Sequence, residues 1–380
     1  MGGGTESAGR FEAVITTDYV NSSRLDRSSR THVVRLGFVP LTDCAPLVVA
    51  REFGLFARHG LTVSLSRELG WATIRNKLAH GELDAAHAPC GLPFALRLGL
   101  GCPATDCVAS LVINLNGNGI TLSAGLAHDG VHDLTTLSEF IRLHRRTRRL
   151  VFGVVSLHST HAWLLRSWLV SGGINPEEDV HLVVVPPPQM ASHMAAGNLD
   201  GFCVGEPWNS VAISRRVGWC AALSSKLSPG HPEKVLALRG SFAESGDRPM
   251  RLTAALLEAC MLCADPAHRE RILQLLSRRE YLGLPVSLIA PALTERFPRG
   301  NRRVEQVPDL LVFHRDKSND PSAEKAGWII RNIFEASIRN RITPLELGRV
   351  FRSDIFFSAQ DSLLSRPRHE IQTFSRTTTS

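Results

Sequence analysis

The sequence predicts an α/β fold built as two lobes. Two stretches, 33–87 and 150–217, each alternate apolar runs of strand length with segments of helical periodicity. That order is typical of a parallel sheet with helices on both faces. The chain has 380 residues, 43% of them hydrophobic, and a single core rarely grows past ~250–300 residues. We therefore expect two cores with a cleft between them.

The first series begins with an apolar run of strand length. Helical spacing then starts at Ala45 and stops at Gly60, where a glycine can end a helix. The predicted strands and helices alternate in the order 33–39, 45–59, 61–65, 73–80 and 84–87.

The second series follows the same order without visible repetition of sequence. Its first helix, 160–171, is ended by Gly172 and Gly173. The strands are predicted at 150–155, 180–185 and 201–204, and the helices at 160–171, 189–196 and 209–217.

The apolar, glycine-containing segment 113–123 suits a strand that crosses from one lobe to the other. A strand at 235–239 and a helix at 250–264 would return the chain to the first lobe. Ligands in such sheets bind outside the carboxyl ends of the strands, which places a site in the cleft. We assign 118–222 to lobe II and assign 33–117 and 223–365 to lobe I, with an extension from about residue 300 that includes a helix at 323–340.

The two termini read as tails, flexible at 1–32 and disordered at 366–380. Polar residues interrupt the apolar patch at 12–18, so a secretory signal is not expected and the predicted location is cytoplasmic. No run approaches the ~18 apolar residues of a membrane helix. The formal charge of +7 suits an anionic ligand but is no nucleic-acid signature.

A polar segment between the strand 150–155 and the following helix is the first candidate site. The helix N-terminus offers free N–H groups and partial positive charge, which favour an anion near Ser159 or Thr160. Ordinary capping, with His161 packed in the first turn, explains the same residues. A metal bound by His158 and His161 is a third interpretation, but no carboxylate or cysteine stands at helical spacing to support it.

Six strings in one order, over about 33–284, resemble the nitrate- and bicarbonate-binding proteins of ABC transporters. They are LGFVPLTDCAPL at 36–47, GWATIRNKL at 70–78, GGINP at 172–176, VVPPPQM at 184–190, DGFCVGEPWN at 200–209 and HPEK at 231–234. The resemblance implies a periplasmic-binding-protein-like fold of type II with the ligand in the interlobe cleft. It also implies a binding protein rather than an enzyme. Independently of the resemblance, we predict neither a cofactor nor a metal.

Transferred to this sequence, the resemblance implies a ligand site made of Trp71, Asn118, Thr160, His161 and Lys234. The transporters have glutamine where Asn118 stands. Taken singly, Trp71 also suits a core position and Lys234 a solvated loop.

Nitrate is planar, weakly hydrated and singly charged, so one cation, a few donors and a flat aromatic wall suit it. Lys234 and His161 favour nitrate or nitrite over bicarbonate, since the bicarbonate branch has glutamine and a carboxylate with calcium instead. A bare carboxylate repels an anion unless it is paired, so Asp43 and Glu206 are predicted not to touch the ligand, and neither is Gln189. We expect Lys234→Ala to abolish binding and leave the thermal midpoint nearly unchanged.

Without an export signal the chain resembles the cytoplasmic nitrate/nitrite sensors called NasS. Those proteins hold the RNA-binding antiterminator NasT and release it when the anion binds. The sequence leaves two alternatives, a transport receptor and an enzyme like the thiamine-pyrimidine synthases, for which no convincing iron ligand set is present. Five arginines form either a surface that binds the partner protein or a solvated helix face. They are Arg142, Arg145, Arg146, Arg148 and Arg149.

Overall fold

The computed structural model describes residues 1–2, 33–300 and 303–365. The predicted tails, 1–32 apart from its first two residues and 366–380, lie outside the described residues. Across the described ranges no helix is long and apolar enough to cross a membrane.

The strands fall into two sheets and a hairpin. In chain order they are β1 (Val34–Phe38), β2 (Val63–Arg67), β3 (Ala85–Pro89), β4 (Cys107–Asn116), β5 (Asn118–Ser123), β6 (Leu150–Val154), β7 (Val180–Val184), β8 (Gly201–Gly205), β9 (Gly218–Leu223), β10 (Pro232–Arg239), β11 (Arg296–Gly300), β12 (Arg303–Gln306) and β13 (Leu311–Val312).

Helices connect and cover these strands. They are α1 (Ala45–Glu52), α2 (Leu55–Arg58), α3 (Trp71–His80), α4 (Leu92–Arg97), α5 (Ala124–His128), α6 (Leu134–His144), α7 (Thr160–Ser171), α8 (Met190–Ala195), α9 (Trp208–Ser214), α10 (Ser224–Leu227), α11 (Gly240–Ala243), α12 (Arg248–Ala264), α13 (Arg269–Ser277), α14 (Val286–Thr294), α15 (Ala323–Ile333), α16 (Ala336–Arg339), α17 (Pro344–Val350) and α18 (Ser353–Leu364).

The two sheets confirm the predicted two-lobed α/β fold. The first has the order β13-β4-β10-β3-β1-β2, and the second has the order β7-β6-β8-β5-β9. In each sheet the βαβ units pair in parallel, as β1 with β2 and β3, and β6 with β7 and β8. The strands that arrive from the other lobe, β10 and β5, pair antiparallel with their neighbours.

The crossover differs from the single strand predicted at 113–123. The strand breaks between β4 and β5 at Gly117, whose φ of +103° would strain any residue that has a side chain. Asn116, directly before it, also has a positive φ of 60°. The break lets β4 end in the first sheet while β5 begins the second. The return crossover runs from β9 through α10 to β10.

Glycine also explains a second difference. The predicted helix 45–59 is two helices, α1 and α2, because Gly54 adopts φ +71° between them. The helix predicted at 209–217 ends at Ser214, and β9 follows from Gly218. By contrast, α7 begins at Thr160 and ends at Ser171, as predicted.

Each lobe has its own core, and a third apolar cluster joins them. Side chains of β1, α1 and α12 pack in the first lobe, and those of β5, β6 and α7 in the second. In the third cluster, Leu41 and Trp71 of the first lobe pack with Val204 and Trp208 of the second. Each such buried side chain contributes about 1.5–3 kcal/mol, so the lobes are held against each other by apolar contact.

Hydrogen bonds reinforce the contact between the lobes. The indole Nε1 of Trp208 donates to the carbonyl oxygen of Pro40 over 2.9 Å. The backbone N–H of Thr42 donates to the carbonyl oxygen of Glu206 over 2.8 Å. Both bonds link the segment after β1 to the segment after β8, so the cleft is closed there.

The hairpin β11–β12 packs on the second sheet. Phe297 is buried with Cys220 and Leu223 of β9, and Arg299 Nη2 donates to the carbonyl oxygen of Ala221 over 3.1 Å. The division made from sequence assigns all of 223–365 to lobe I, whereas this hairpin lies against lobe II. The sequence pattern of such a short hairpin does not indicate which of the two sheets the hairpin packs on.

Candidate functional site

The segments that carry the five predicted site residues all face the junction between the lobes. Trp71 begins α3 after β2, Asn118 begins β5 at the crossover, and Lys234 lies on β10. Thr160 and His161 form the first turn of α7, where Ser159 caps the helix by accepting from the N–H of Ala162 over 3.3 Å. All five residues are buried.

Lys234 is the centre of the site but not a free cation. Its Nζ lies 2.9 Å from Asp43 Oδ2 and 2.8 Å from Glu233 Oε1, and it stands 5.6 Å from the centroid of the Trp71 ring. Burial lowers the pKa of Lys234, but the two carboxylates outweigh burial and hold the pKa above its usual value. The lysine therefore stays protonated with both carboxylates on it.

This arrangement corrects the hypothesis of a lone lysine that supplies the charge for an anion. Asp43, which the sequence argument kept away from the ligand, is paired with Lys234 and so meets the condition under which a carboxylate can line an anion site. Burial alone would raise the pKa of Asp43 and of Glu233, yet Lys234 holds both below their usual values. Both carboxylates are therefore ionised.

Glu233 connects the lysine to the second lobe. The side-chain amide of Asn118 donates to Glu233 Oε2 over 2.6 Å. His161 Nδ1 lies 3.5 Å from Glu233 Oε1, and both side chains are fully buried. The structure thus brings Asn118, His161 and Lys234 onto one carboxylate that the sequence argument did not single out.

His161 is neutral at ordinary pH. Burial lowers its pKa to about 4, and the attraction of Glu233 opposes this only in part. A neutral imidazole has one N–H donor and one acceptor nitrogen.

Two further histidines join the site. His87, on β3, has Nε2 3.1 Å from Asp43 Oδ1, and its ring centroid lies 5.7 Å from that of Trp71. His231 has Nδ1 2.8 Å from the carbonyl oxygen of Ser228 and Nε2 3.5 Å from Glu233 Oε2. His231 and Glu233 stand in the HPEK string, whereas only the end of a short predicted strand marks His87. We use the name cleft cluster for Asp43, His87, His161, His231, Glu233 and Lys234.

Several buried polar atoms at this junction lack a hydrogen-bond partner among the described residues. They are Thr42 Oγ1, Trp71 Nε1, Asn118 Oδ1, Thr160 Oγ1, His161 Nε2 and Glu206 Oε1. An unsatisfied buried polar group costs about 1–3 kcal/mol, so several together need an explanation. Donors and acceptors from both lobes are available here to a small polar ligand.

Glu206 lies beside the cleft cluster, and its carboxyl group is neutral over part of the physiological pH range. Burial raises its pKa to about 7, although the Ser210 hydroxyl, which donates to Oε2 over 2.5 Å, lowers it. Its carbonyl oxygen forms the interlobe bond to Thr42.

The structure separates the two histidines of the metal interpretation. The half-buried ring of His158 stacks on Phe334, with centroids 5.6 Å apart, whereas His161 is fully buried against Glu233. Within the part of the chain that the structure describes, no group of three or more histidine, cysteine or acidic residues is placed to hold a metal ion. The capping interpretation holds for Ser159, and it coexists with the cleft cluster.

Two α/β lobes, joined by crossover strands and closed over a buried polar cluster, define a two-lobed ligand-binding protein. Residues 27–277 match the NMT1-like family. The chain belongs to the NMT1-like family and, within it, to the NrtA/CmpA type of nitrate- and bicarbonate-binding proteins.

Individual proteins support this assignment. The chain is 32% identical over 344 residues to the nitrate/nitrite binding protein NrtA of Synechococcus elongatus, covering 87% of this chain and 78% of that protein. It is 42% identical over 343 residues to the bicarbonate transport ATP-binding protein CmpC of the same species, covering 87% of this chain. The chain spans about half the length (49%) of that relative.

The fold agrees with a solved structure. The periplasmic nitrate-binding protein NrtA from Synechocystis PCC 6803 superposes with a TM-score of 0.82 at 26% identity, covering 90% of this chain and 92% of that chain. The predicted periplasmic-binding-protein-like fold is therefore confirmed.

Proposed function

We propose that this protein binds a small oxyanion, nitrate or nitrite first, between its two lobes and catalyses no reaction on it. The observation that carries the proposal is the set of unpartnered polar atoms from both lobes around the buried cleft cluster. Trp71 of the first lobe offers an indole N–H, and Thr160 and His161 of the second offer hydroxyl and imidazole groups. A ligand that bonds to both sets would favour the closed arrangement of the lobes.

The chemistry of the site supports an oxyanion. Trp71 supplies a flat ring, and the first turn of α7 supplies free N–H groups with the positive end of the helix dipole. The relatives point to the same class, because their names refer to nitrate, nitrite and bicarbonate. We place nitrate and nitrite ahead of bicarbonate because His161 and Lys234 are both present.

We propose transport as the first biological context, as the substrate-binding component of an uptake system, since the matched relatives carry transport or anion-binding names. The cytoplasmic NasS-like sensor with a NasT-like partner stays a prediction. Three of the five arginines, Arg142, Arg145 and Arg146, are exposed at the end of α6, which fits a partner surface and a solvated face equally. Arg148 and Arg149 are engaged within lobe II, with Asp200 and with the carbonyl oxygens of Glu177 and Val180.

Titration of the purified protein with nitrate, nitrite, hydrogencarbonate and sulfate, followed by calorimetry, tests the proposal. We expect saturable binding of nitrate or nitrite at one site per chain. His161→Ala should weaken that binding about tenfold or more, because one hydrogen bond to an anion contributes about 1.5–3 kcal/mol.

His181→Ala is the matched control, since His181 is exposed on β7 of the same lobe. It should leave the affinity unchanged. The proposal would be overturned if none of the four anions bound, or if His161→Ala and His181→Ala weakened anion binding equally.

A further inference from the structure

The charges of the cleft cluster do not balance for an anion. Asp43 and Glu233 are ionised and Lys234 is protonated, while burial keeps His161 neutral. Together, Asp43, Glu233, His161 and Lys234 carry two negative charges and one positive charge, a net charge of about one negative unit. These four side chains are therefore negative as a group where the proposed ligand is also negative.

The helix dipole does not remove the deficit. The N-terminus of α7 contributes roughly half a positive charge, which leaves the buried site negative. A nitrate ion would add a full negative charge in a region from which water is excluded, where like charges repel strongly. Another positive charge has to accompany the anion.

The geometry of His161 indicates where that charge can be placed. Neither ring nitrogen makes a hydrogen bond to any residue that the structure describes, and Nδ1 lies 3.5 Å from Glu233 Oε1. A protonated ring would donate from Nδ1 to Glu233 and from Nε2 to an oxygen of the ligand. Protonation thus satisfies both nitrogens, whereas the neutral ring satisfies at most one of them.

We propose that, given the anion binding on which this inference rests, the cleft takes up one proton with each nitrate or nitrite ion and that His161, held against Glu233, carries it. Glu233 then acts as the positioning residue that couples the proton to the ligand.

The other groups around His161 come from every element that packs on it. Negative charges that favour its protonation are Asp43 and Glu233, and Lys234 and His231 oppose it. His87 faces Asp43 Oδ1, whereas Lys234 contacts Asp43 Oδ2. The nearby thiols of Cys90 and Cys203 stay neutral, because burial raises the pKa of each well above its usual value. Glu206, beside the cluster, also changes charge near neutral pH, because burial raises its pKa to about 7; the substitution of His161 described below separates the two groups.

The sign of the pH dependence follows from linkage. In the free protein His161 is neutral above about pH 4, the value to which burial lowers its pKa. The bound anion favours the imidazolium, so the pKa of His161 is higher in the complex than in the free protein. Affinity is then greatest below about pH 4, falls up to about tenfold per pH unit as the pH rises from the pKa of His161 in the free protein toward its pKa in the complex, and is constant above both values.

Calorimetry with nitrate in two buffers of different ionisation enthalpy, both at about pH 7, measures the number of protons taken up per nitrate ion bound. Nitrate holds no proton in this range, so any proton taken up belongs to the protein. We expect about one proton per ion, and an affinity that weakens between about pH 5.5 and about pH 8.5. Binding without proton uptake and with constant affinity would overturn the inference alone. Absence of nitrate binding at every pH would overturn the proposed function and this inference with it.

Glu233→Gln tests the positioning role. The substitution leaves Lys234 with Asp43 only, so a nitrate ion would no longer need a proton. We expect proton uptake to fall toward zero and affinity at about pH 8.5 to rise several-fold, which loss of a merely structural contact would not produce. The matched control Glu305→Gln alters a carboxylate paired with Lys226 near the surface and should leave both quantities unchanged.

Unchanged proton uptake in Glu233→Gln would contradict the role of Glu233 in positioning the proton on His161. Should the variant fail to fold, His161→Gln gives the second measurement, because its amide can donate but cannot take up a proton. We expect that variant to bind nitrate more weakly at low pH and with no proton uptake; unchanged uptake would overturn the assignment to His161.

Discussion

The two walls of the cleft differ in their charged side chains, although both contribute unpartnered polar atoms. On the first-lobe wall, Lys234 contacts Asp43 at 2.9 Å and Glu233 at 2.8 Å. On the second-lobe wall, Thr160 and His161 are equally buried but leave polar atoms without partners among the residues that the structure describes.

The difference separates stability from recognition. Charges that pair within one wall stabilise that lobe whether or not a ligand is bound, while unpartnered groups on the other wall are available to the ligand. Substitutions in the first wall should therefore reduce the free energy of unfolding, and substitutions in the second wall should reduce affinity.

Lys234→Ala should have the largest effect. It leaves Asp43 and Glu233 buried without their cation, so we expect the free energy of unfolding to fall by about 3–5 kcal/mol in urea titrations. The matched control Lys226→Ala removes an exposed partner of Glu305 and should change stability by at most about 1 kcal/mol.

The paired geometry of Lys234 also corrects the expectation, made from sequence, that its removal leaves the thermal midpoint nearly unchanged. That expectation treated the lysine as unpaired. An equal midpoint for wild type and Lys234→Ala would contradict the view that the first wall stabilises itself.

Glu206→Gln should have the next largest effect, with a pH dependence. Because burial raises the folded-state pKa of Glu206 from 4.5 to about 7, its contribution to stability is present below about pH 4.5 and is lost as the pH rises through about 7. Glutamine lacks this loss, so we expect the variant to exceed wild type by up to about 3 kcal/mol at about pH 8 and to match it at about pH 4.5.

Urea unfolding of both proteins at the two pH values measures this difference. Glu244→Gln is the control, since Glu244 pairs with Arg352 at the surface. A stability difference between wild type and Glu206→Gln that does not change with pH would show that folding does not raise the pKa of Glu206.

Thr160→Val should have the smallest effect on stability, and it separates affinity from stability most clearly. Valine has the same shape without the unpartnered hydroxyl, so stability should stay level or rise by about 1 kcal/mol, while nitrate affinity should fall about tenfold. The control Thr121→Val removes a buried hydroxyl that donates to Asn209 over 2.8 Å in the same lobe. It should lose about 1 kcal/mol of stability and no affinity, and the reverse pattern would contradict the division of roles.

The alternation of strands and helices was enough to predict the two lobes, and the cap at Ser159 was enough to place the start of α7. The break at Gly117 was not predicted, because an apolar run with glycines looks the same whether it forms one strand or two. The pairing of Lys234 was not predicted either, since it depends on β10 lying antiparallel beside β3 and β4. Periodicity indicates which face of a strand is buried, but not which buried charges meet.

The β11–β12 hairpin has a consequence for motion between the lobes. The chain leaves the first-lobe core after α14, contacts β9 of the other sheet, and returns to pair β13 with β4. Within residues 33–300 and 303–365, four passages of the chain therefore join the lobes instead of the two that the crossovers supply. Opening of the cleft must deform the two hairpin connections as well as the turn at Gly117. This limits how far the lobes can separate when a ligand enters or leaves.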